Sequence, residues 1–322
     1  MTHERMVIAT RRSELALWQS SFVRSLLQQR FPELEIDFQV IKTLGDKILD
    51  SPLSAIGDKG LFTKEIEQTL LDGTCDLAVH SLKDVPTHLP EGLTIGAVTK
   101  RMDPRDVFVP HTDSSFRTLK DLPEGSTVAT GSLRRTCQIL HHRPDLRIAD
   151  VRGNLPTRLR KLKESSWGGM ILAKAGLERL GLQDHIAETL PFDVMLPAVG
   201  QGALAIEIKV DHGRLKEIVS VLHDEETFMA VRGERALLRM LEGGCQVPIG
   251  TYGRLEGGMF VLEAMIGSLD GTRVVRGSLQ GSPNRSEEIG IELAVMLLQQ
   301  GGKEILEEIR RNPPPPRPPE QP

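Results

Sequence analysis

Ser126–Ala173 reads STVATGSLRRTCQILHHRPDLRIADVRGNLPTRLRKLKESSWGGMILA, and the order of its parts decides the fold class. Ser126–Thr130 is a short strand pattern, and Ser132–His142 a helix pattern. Arg147–Val151 and Leu155–Lys163 repeat that order, Gly169–Ala173 is a third strand, and Leu177–Leu182 a third helix. Strands that alternate with helices predict parallel or mixed sheets in an α/β fold.

The same grammar extends upstream. Met6–Thr10 is an apolar run ahead of an amphipathic stretch, Ser13–Arg30, in which Leu15, Trp18, Phe22 and Leu26 recur at helical spacing. Ile36–Ile41 reads as a strand, Leu61–Leu71 as a helix and Asp76–His80 as a buried strand. Thr43–Gly60 lies among them with Gly45, Pro52, Gly57 and Gly60 and weak periodicity. It reads as a loop, and loops of that length inside a domain are functional or disordered. Downstream, Ala203–Val210 is another strand. The pattern then changes: a helix over Glu225–Leu241 leads into Gly243-Gly244-Cys245, and strand-like runs follow at Thr251–Leu255, Phe260–Ile266 and Arg273–Leu279. Ser282-Pro283 has the form of an N-cap and first helical residue, opening a helix to about Gln299. That region predicts an α+β domain. The tail Pro313–Pro322, PPPPRPPEQP, is expected to be disordered, and no repeat of solenoid period is present.

Bulk properties narrow the function classes. A chain of 322 residues suits two or three domains. One tyrosine and two tryptophans disfavour base-stacking nucleic-acid modules, and a net charge of -4 supplies no global field for a polyanion. No nucleic-acid partner is expected, and anion binding has to come from local arginine clusters. No run of about eighteen apolar residues exists, so neither a membrane span nor a membrane partner is expected. The start MTHERMVIATRR has no apolar h-region, which argues against a secretory signal. Cys75, Cys137 and Cys245 are scattered and odd in number, without disulfide or zinc spacing. The expected setting is a reducing cytoplasm, with no metal.

Four polar clusters share one structural address, the junction of a strand with the following element. They are Thr10-Arg11-Arg12-Ser13, His80-Ser81-Leu82-Lys83-Asp84, Thr130-Gly131-Ser132-Leu133-Arg134-Arg135 and Arg152-Gly153-Asn154. In open α/β sheets ligands bind beyond the carboxyl ends of strands, and free N–H groups at helix starts attract anions. Arginines at those junctions add charge-assisted contacts to carboxylate or phosphate. One such arginine is ordinary surface charge. Four junctions predict a cleft for a ligand with many negative groups.

The strings IATRRSELALWQ, HSLKDVP, GSLRR, VRGN followed by Thr157-Arg158, PAVGQGALAIE and GGCQVPIG stand in that order along the chain. Together they resemble the hydroxymethylbilane synthase (porphobilinogen deaminase) family over nearly the whole length. The resemblance implies an α/β chain of three domains, two of them periplasmic-binding-protein-like and flanking a cleft, plus a C-terminal α+β domain. Domain 1 would be discontinuous, 1–102 with 200–222, domain 2 would span 103–199 and domain 3 223–312, leaving 313–322 as the tail. It also implies a monomer that adds four porphobilinogen molecules to a covalent dipyrromethane primer, losing ammonia at each addition, and then releases the linear tetrapyrrole with water.

Each porphobilinogen ring carries an acetate and a propionate, which suits the arginine clusters. By the resemblance Arg11, Arg134, Arg135, Arg152 and Arg158 hold carboxylates. Lys83, Ser81, Ser13, Thr130, Ser132, Gly153, Gln19 and Gln201 are neighbouring contacts to cofactor or substrate. The alternative roles are helix capping for the hydroxyls, a surface ion pair for Lys83 and a linker turn for Gly200-Gln201-Gly202. Asp84 is the expected catalytic residue: ammonia loss and pyrrole attack both develop positive charge, which a fixed carboxylate stabilises. Cys245 is the expected attachment point, in a loop setting that suits a nucleophile, whereas Cys75 and Cys137 fall in strand and helix patterns where thiols are buried. Asp46, Lys59 and Phe62 match the family's mobile lid within or beside Thr43–Gly60. Lys174 and the proline tail depart from the family pattern. A non-catalytic two-lobed anion-binding protein is the competing reading, since fold alone does not set function.

Overall fold

Several helices start on a capping side chain that the sequence places just after a strand. Ser13 Oγ accepts the Ala16 N–H at 3.3 Å, Ser132 Oγ the Arg135 N–H at 3.5 Å and Asn154 Oδ1 the Thr157 N–H at 3.0 Å. Each satisfies a helix-end N–H that would otherwise lack a partner, worth about 1 kcal/mol. The computed structural model describes residues 5–44, 63–242 and 247–312. In its first half the elements are β1 (Arg5–Arg11), α1 (Glu14–Arg30), β2 (Glu35–Ile41), α2 (Lys64–Leu71), β3 (Leu77–Ser81), β4 (Leu93–Val98), β5 (Asp106–Pro110), β6 (Thr127–Ala129), α3 (Leu133–His142), β7 (Arg147–Ala149) and α4 (Leu155–Glu164). The second half holds β8 (Gly169–Ala173), α5 (Lys174–Arg179), β9 (Glu188–Thr189), β10 (Leu204–Lys209), α6 (Gly213–Ser220), α7 (Glu225–Met240), β11 (Ile249–Glu256), β12 (Met259–Gly267), β13 (Val274–Gly281), α8 (Ser286–Leu297) and α9 (Lys303–Arg311).

The chain divides into two compact units, with boundaries at Met102/Asp103, Gln201/Gly202 and Phe228/Met229. The first unit is built on a sheet of order β2-β1-β3-β10-β4. β1 runs parallel to β2 and β3, while β10 runs antiparallel to β3 and β4. Both faces are covered, so its central strands read as nearly continuous apolar runs rather than alternating ones. Ile8, Leu77, Val79, Ile206 and Ile208 pack with Val23 and Leu27 of α1 and Val219 of α6. Ala9 and Ala78 pack on the other face with Ile66 and Leu70 of α2.

The second unit repeats the plan. Its sheet has the order β7-β6-β8-β5-β9, with β6 parallel to its neighbours and β5 antiparallel to β8 and β9. In both sheets the antiparallel strand sits fourth and is the first strand formed after the chain passes between units. The same unit contains the antiparallel meander β11-β12-β13, whose core joins Phe260, Leu262 and Ile266 to Leu237 of α7 and Leu293 and Leu297 of α8. Arg276 fastens this meander to the preceding segment by donating to Phe192 O and Asp193 O, each at 2.7 Å. Phe192 also stacks on Tyr252, ring centroids 4.1 Å apart.

The alternating strands and helices, the C-terminal α+β region and most expected spans are present as read. The third helix of the opening stretch is displaced: it covers Lys174–Arg179 rather than Leu177–Leu182, because the chain turns at Gly181 with φ +68°. β4, β5, β9, α6 and α9 were absent from the sequence reading. Beyond α8, a kink at Gly301, φ 108°, leads into α9. The loop Thr43–Gly60, apart from Thr43 and Leu44, and the proline tail lie outside the described residues.

Candidate active site

In the first unit the end of β1, the start of α1 and the end of β3 meet. Thr10 Oγ1 is fully buried and donates to Ala16 O at 3.2 Å, tying the first turn of α1 to the strand before it. Gln19, one turn further on, donates to Ser81 Oγ at 2.8 Å. After β3 the chain makes a short 3-10 turn, Leu82–Asp84, whose Leu82 N–H donates to Ala203 O at 3.0 Å. Leu82 and Val85 are buried, whereas Lys83 and Asp84 are exposed between them. Two apolar anchors thus fix a carboxylate that stays in solvent reach. Asp84 lines a pocket with Arg11, Ser13, Gln19, His80 and Ser81.

In the second unit the starts of α3 and α4 lie together, because Gly131 approaches the turn after β7. A Cβ on Gly131 would stand 2.8 Å from Val151 O, and one on Gly153, at φ +111°, 2.8 Å from Thr157 Cγ2. Thr130 and Ser132 spend their hydroxyls locally: Thr130 Oγ1 accepts the Ser132 N–H at 3.2 Å, and Ser132 caps α3. Arg158 Nε donates to Gly153 O at 2.8 Å, and Arg152 Nε stands 3.5 Å from Asp150.

Arg134 and Arg135 depart from the picture of open surface cations. Both are buried and converge on Asp106 at the head of β5, with N–O distances of 2.6 and 2.7 Å. Gln201 donates to the same carboxylate at 2.9 Å and to Pro104 O at 2.7 Å. Burial alone would push the Asp106 carboxyl up, but the two guanidiniums outweigh it and hold it far below the usual carboxylate range. Burial in turn lowers Arg134. Asp106→Asn strands two buried cations, so it should cost about 3–5 kcal/mol in denaturant unfolding. A carboxyl depressed in the folded state stabilises above its unfolded pKa and loses that contribution as pH falls. The parent should therefore weaken steeply in acid below the ordinary carboxylate range, and the variant much less.

Asp106 was not singled out in the sequence; the signal was a lone charge heading the apolar strand DVFVP. Arg179 was missed as well: it is buried on α5, its guanidinium pushed down by burial to about 10. Lys174 donates to Asp103 at 2.8 Å. Cys245, Asp46, Lys59 and Phe62 lie outside the described residues, so their placement carries no argument.

The residues present suit a polycarboxylate such as dipyrromethane. The Nε atoms of Arg135 and Arg152 are buried with no hydrogen-bond partner among the described residues. The two glycines let the turns before α3 and α4 pack closely, which sets the two helix starts side by side. Among the described residues no three His, Cys, Asp or Glu side chains are grouped to hold a metal, and no helix is long and apolar enough to cross a membrane.

Comparison with known proteins shows the family. Residues 6–217 match the family model "Porphobilinogen deaminase, dipyromethane cofactor binding domain", and residues 228–299 match "Porphobilinogen deaminase, C-terminal domain". Curated proteins named porphobilinogen deaminase are 52% identical in Chlorobium phaeobacteroides (strain BS1) and 53% identical in Chlorobaculum tepidum, each alignment covering 95% of this chain and 98% of the relative. The protein of that name in Geobacter sulfurreducens is 49% identical, over 96% of both chains. With two family models and near-full-length relatives of about half identity, the chain belongs to the porphobilinogen deaminase family.

Proposed function

We propose that this chain is a hydroxymethylbilane synthase, which condenses four porphobilinogen molecules on a dipyrromethane held by Cys245 and releases the linear tetrapyrrole by hydrolysis. The observation that carries the reading is the Asp84 pocket: an exposed carboxylate on an anchored turn beside Arg11, Ser13, Gln19 and Ser81. When bound, the dipyrromethane supplies the pyrrole carbon that accepts each unit. The chain's own residues do the rest. Arg11, Arg152 and Arg158 hold substrate carboxylates. Arg134, Arg135, Arg152, Arg158 and Lys83 hold those of the cofactor, with Ser81, Ser13, Thr130, Ser132, Gly153 and Gln201 beside them. Asp84 faces the positive charge that develops as ammonia leaves. The three-domain division, monomeric state and cytoplasmic location belong to the same proposal, and so do Asp46, Lys59 and Phe62 as lid residues.

Intact mass and ammonia release test it together. The native protein should be heavier than its sequence by a covalent dipyrrole and should release one ammonia per porphobilinogen consumed. A mass equal to the sequence, with no ammonia released, would favour the non-catalytic anion-binding reading instead.

A further inference from the structure

Under the Asp84 pocket, three ionisable side chains are shut between the sheet and α2. His80, Glu67 and Glu207 are 6%, 6% and 0% exposed. The antiparallel register sets His80 opposite Ala205 and Glu207 opposite Ala78, so all four side chains share the sheet face that α2 covers. Glu67 comes from the buried face of α2, with Ile66 and Leu70. His80 Nε2 and Glu207 Oε2 are 2.9 Å apart. The second oxygen of Glu207 and Oε1 of Glu67 have no hydrogen-bond partner among the described residues.

The Glu207 charge disfavours a second charge on Glu67 in the same buried layer. Burial, reinforced by the Glu207 charge, holds the Glu67 carboxyl above its ordinary value. Glu67 thus adds a second buried carboxyl beside the His80–Glu207 pair. Of the three residues, His80 also lines the pocket that Asp84 lines.

We propose that His80, backed by Glu207 and Glu67, carries the proton that each condensation moves in the Asp84 pocket; this rests on the activity proposed above. The amine nitrogen and the ring carbon need that proton at different moments. As the C–N bond breaks, its electron pair stays on nitrogen, and a proton from His80 completes ammonia. His80 would then take back the proton released as the new carbon–carbon bond forms. The three side chains end each cycle with the protons they began with. Among the described residues the ionisable groups set beside His80 are Glu207 from β10 and Glu67 from α2, with Arg11 from the end of β1 and Asp84 from the turn after β3 lining the same pocket. α1 presents the uncharged Gln19 at the pocket, and β4 has no ionisable side chain.

The test uses protein that already carries its primer. His80→Gln can still hydrogen-bond Glu207 but cannot carry a proton; kcat should fall about tenfold or more, with KM held and the pH profile flattened. Added imidazole should restore part of the activity of His80→Gly. Parent-like kcat and pH profile in His80→Gln would overturn the proposal, and so would a uniform loss across pH that imidazole does not relieve. Independently of turnover, the imidazole 15N signals of His80 should move at fixed pH in Glu67→Gln; unmoved signals also overturn it. A parent protein that releases no ammonia would instead defeat the condensation activity itself, while the nitrogen signals still decide whether the three groups share a proton.

Discussion

Asp84→Asn, assayed on protein that already carries its primer, is expected to lose at least about a hundredfold in kcat while substrate binding changes little. The exchange keeps size and some hydrogen bonding and removes the negative charge. Charge stabilisation that exists only as the C–N bond breaks is lost from the chemical step, not from binding. Asp84→Glu keeps the charge and displaces it by one methylene, so it should retain more activity than the asparagine variant. Both variants should fold, because Asp84 is exposed and the buried Leu82 and Val85 that anchor its turn are untouched. Pre-primed protein matters, since the primer forms by similar chemistry and an unprimed variant would read as inactive for the wrong reason. Near-parental turnover by primed Asp84→Asn would remove Asp84 from the mechanism and make Asp46 the next carboxylate to replace.

Cys245→Ser should abolish turnover and return the intact mass to that of the sequence, with the fold unchanged by circular dichroism. A hydroxyl is a far weaker nucleophile than a thiolate and does not form the thioether. The two other cysteines cannot substitute. Cys75 is buried, and burial raises its thiol; Cys137 is buried against Leu196 and Met265, its thiol pushed up by burial to about 12. Neither yields appreciable thiolate at neutral pH. A dipyrrole mapped by peptide mass to Cys75 or Cys137 would overturn the attachment site.

The parts of the fold that were legible in the sequence are those whose cause is local. β6, α3, β7 and α4 show in a contiguous stretch because β6 and β7 are each followed within a few residues by a capping side chain, Ser132 and Asn154. β4 and β5 did not show. LTIGAV and DVFVP are short, and each is a strand because of partners far along the chain: β4 pairs β10, and β5 pairs β8. The site divides in the same way. Asp84 and Arg11 stand in unbroken motifs at strand ends and were legible. Asp106 owes its importance to Arg134 and Arg135, 28 and 29 residues away, and His80 meets Glu207 across 127 residues. Such partners become visible only when the sheet is assembled. The hydroxyls of Ser13, Thr130 and Ser132 were read as ligand contacts, with helix capping as the alternative, and each accepts a backbone N–H.

The antiparallel fourth strand in each sheet sets an order of events during synthesis. β3 and β4 are joined only through β10, which leaves the ribosome after every residue of β5 to β9. At usual translation rates the interval from Val98 to Lys209 lasts about five to twenty seconds. Through that interval the nascent first unit has two open strand edges, the kind of surface that recruits wrong partners. A stop codon anywhere between β4 and β10 would leave those edges open permanently, so such fragments should be insoluble or rapidly degraded even though most of the first unit's sequence is present. The segment that closes the sheet is also the one that carries Glu207, so in the growing chain His80 gains its partner only when the strand edges are sealed.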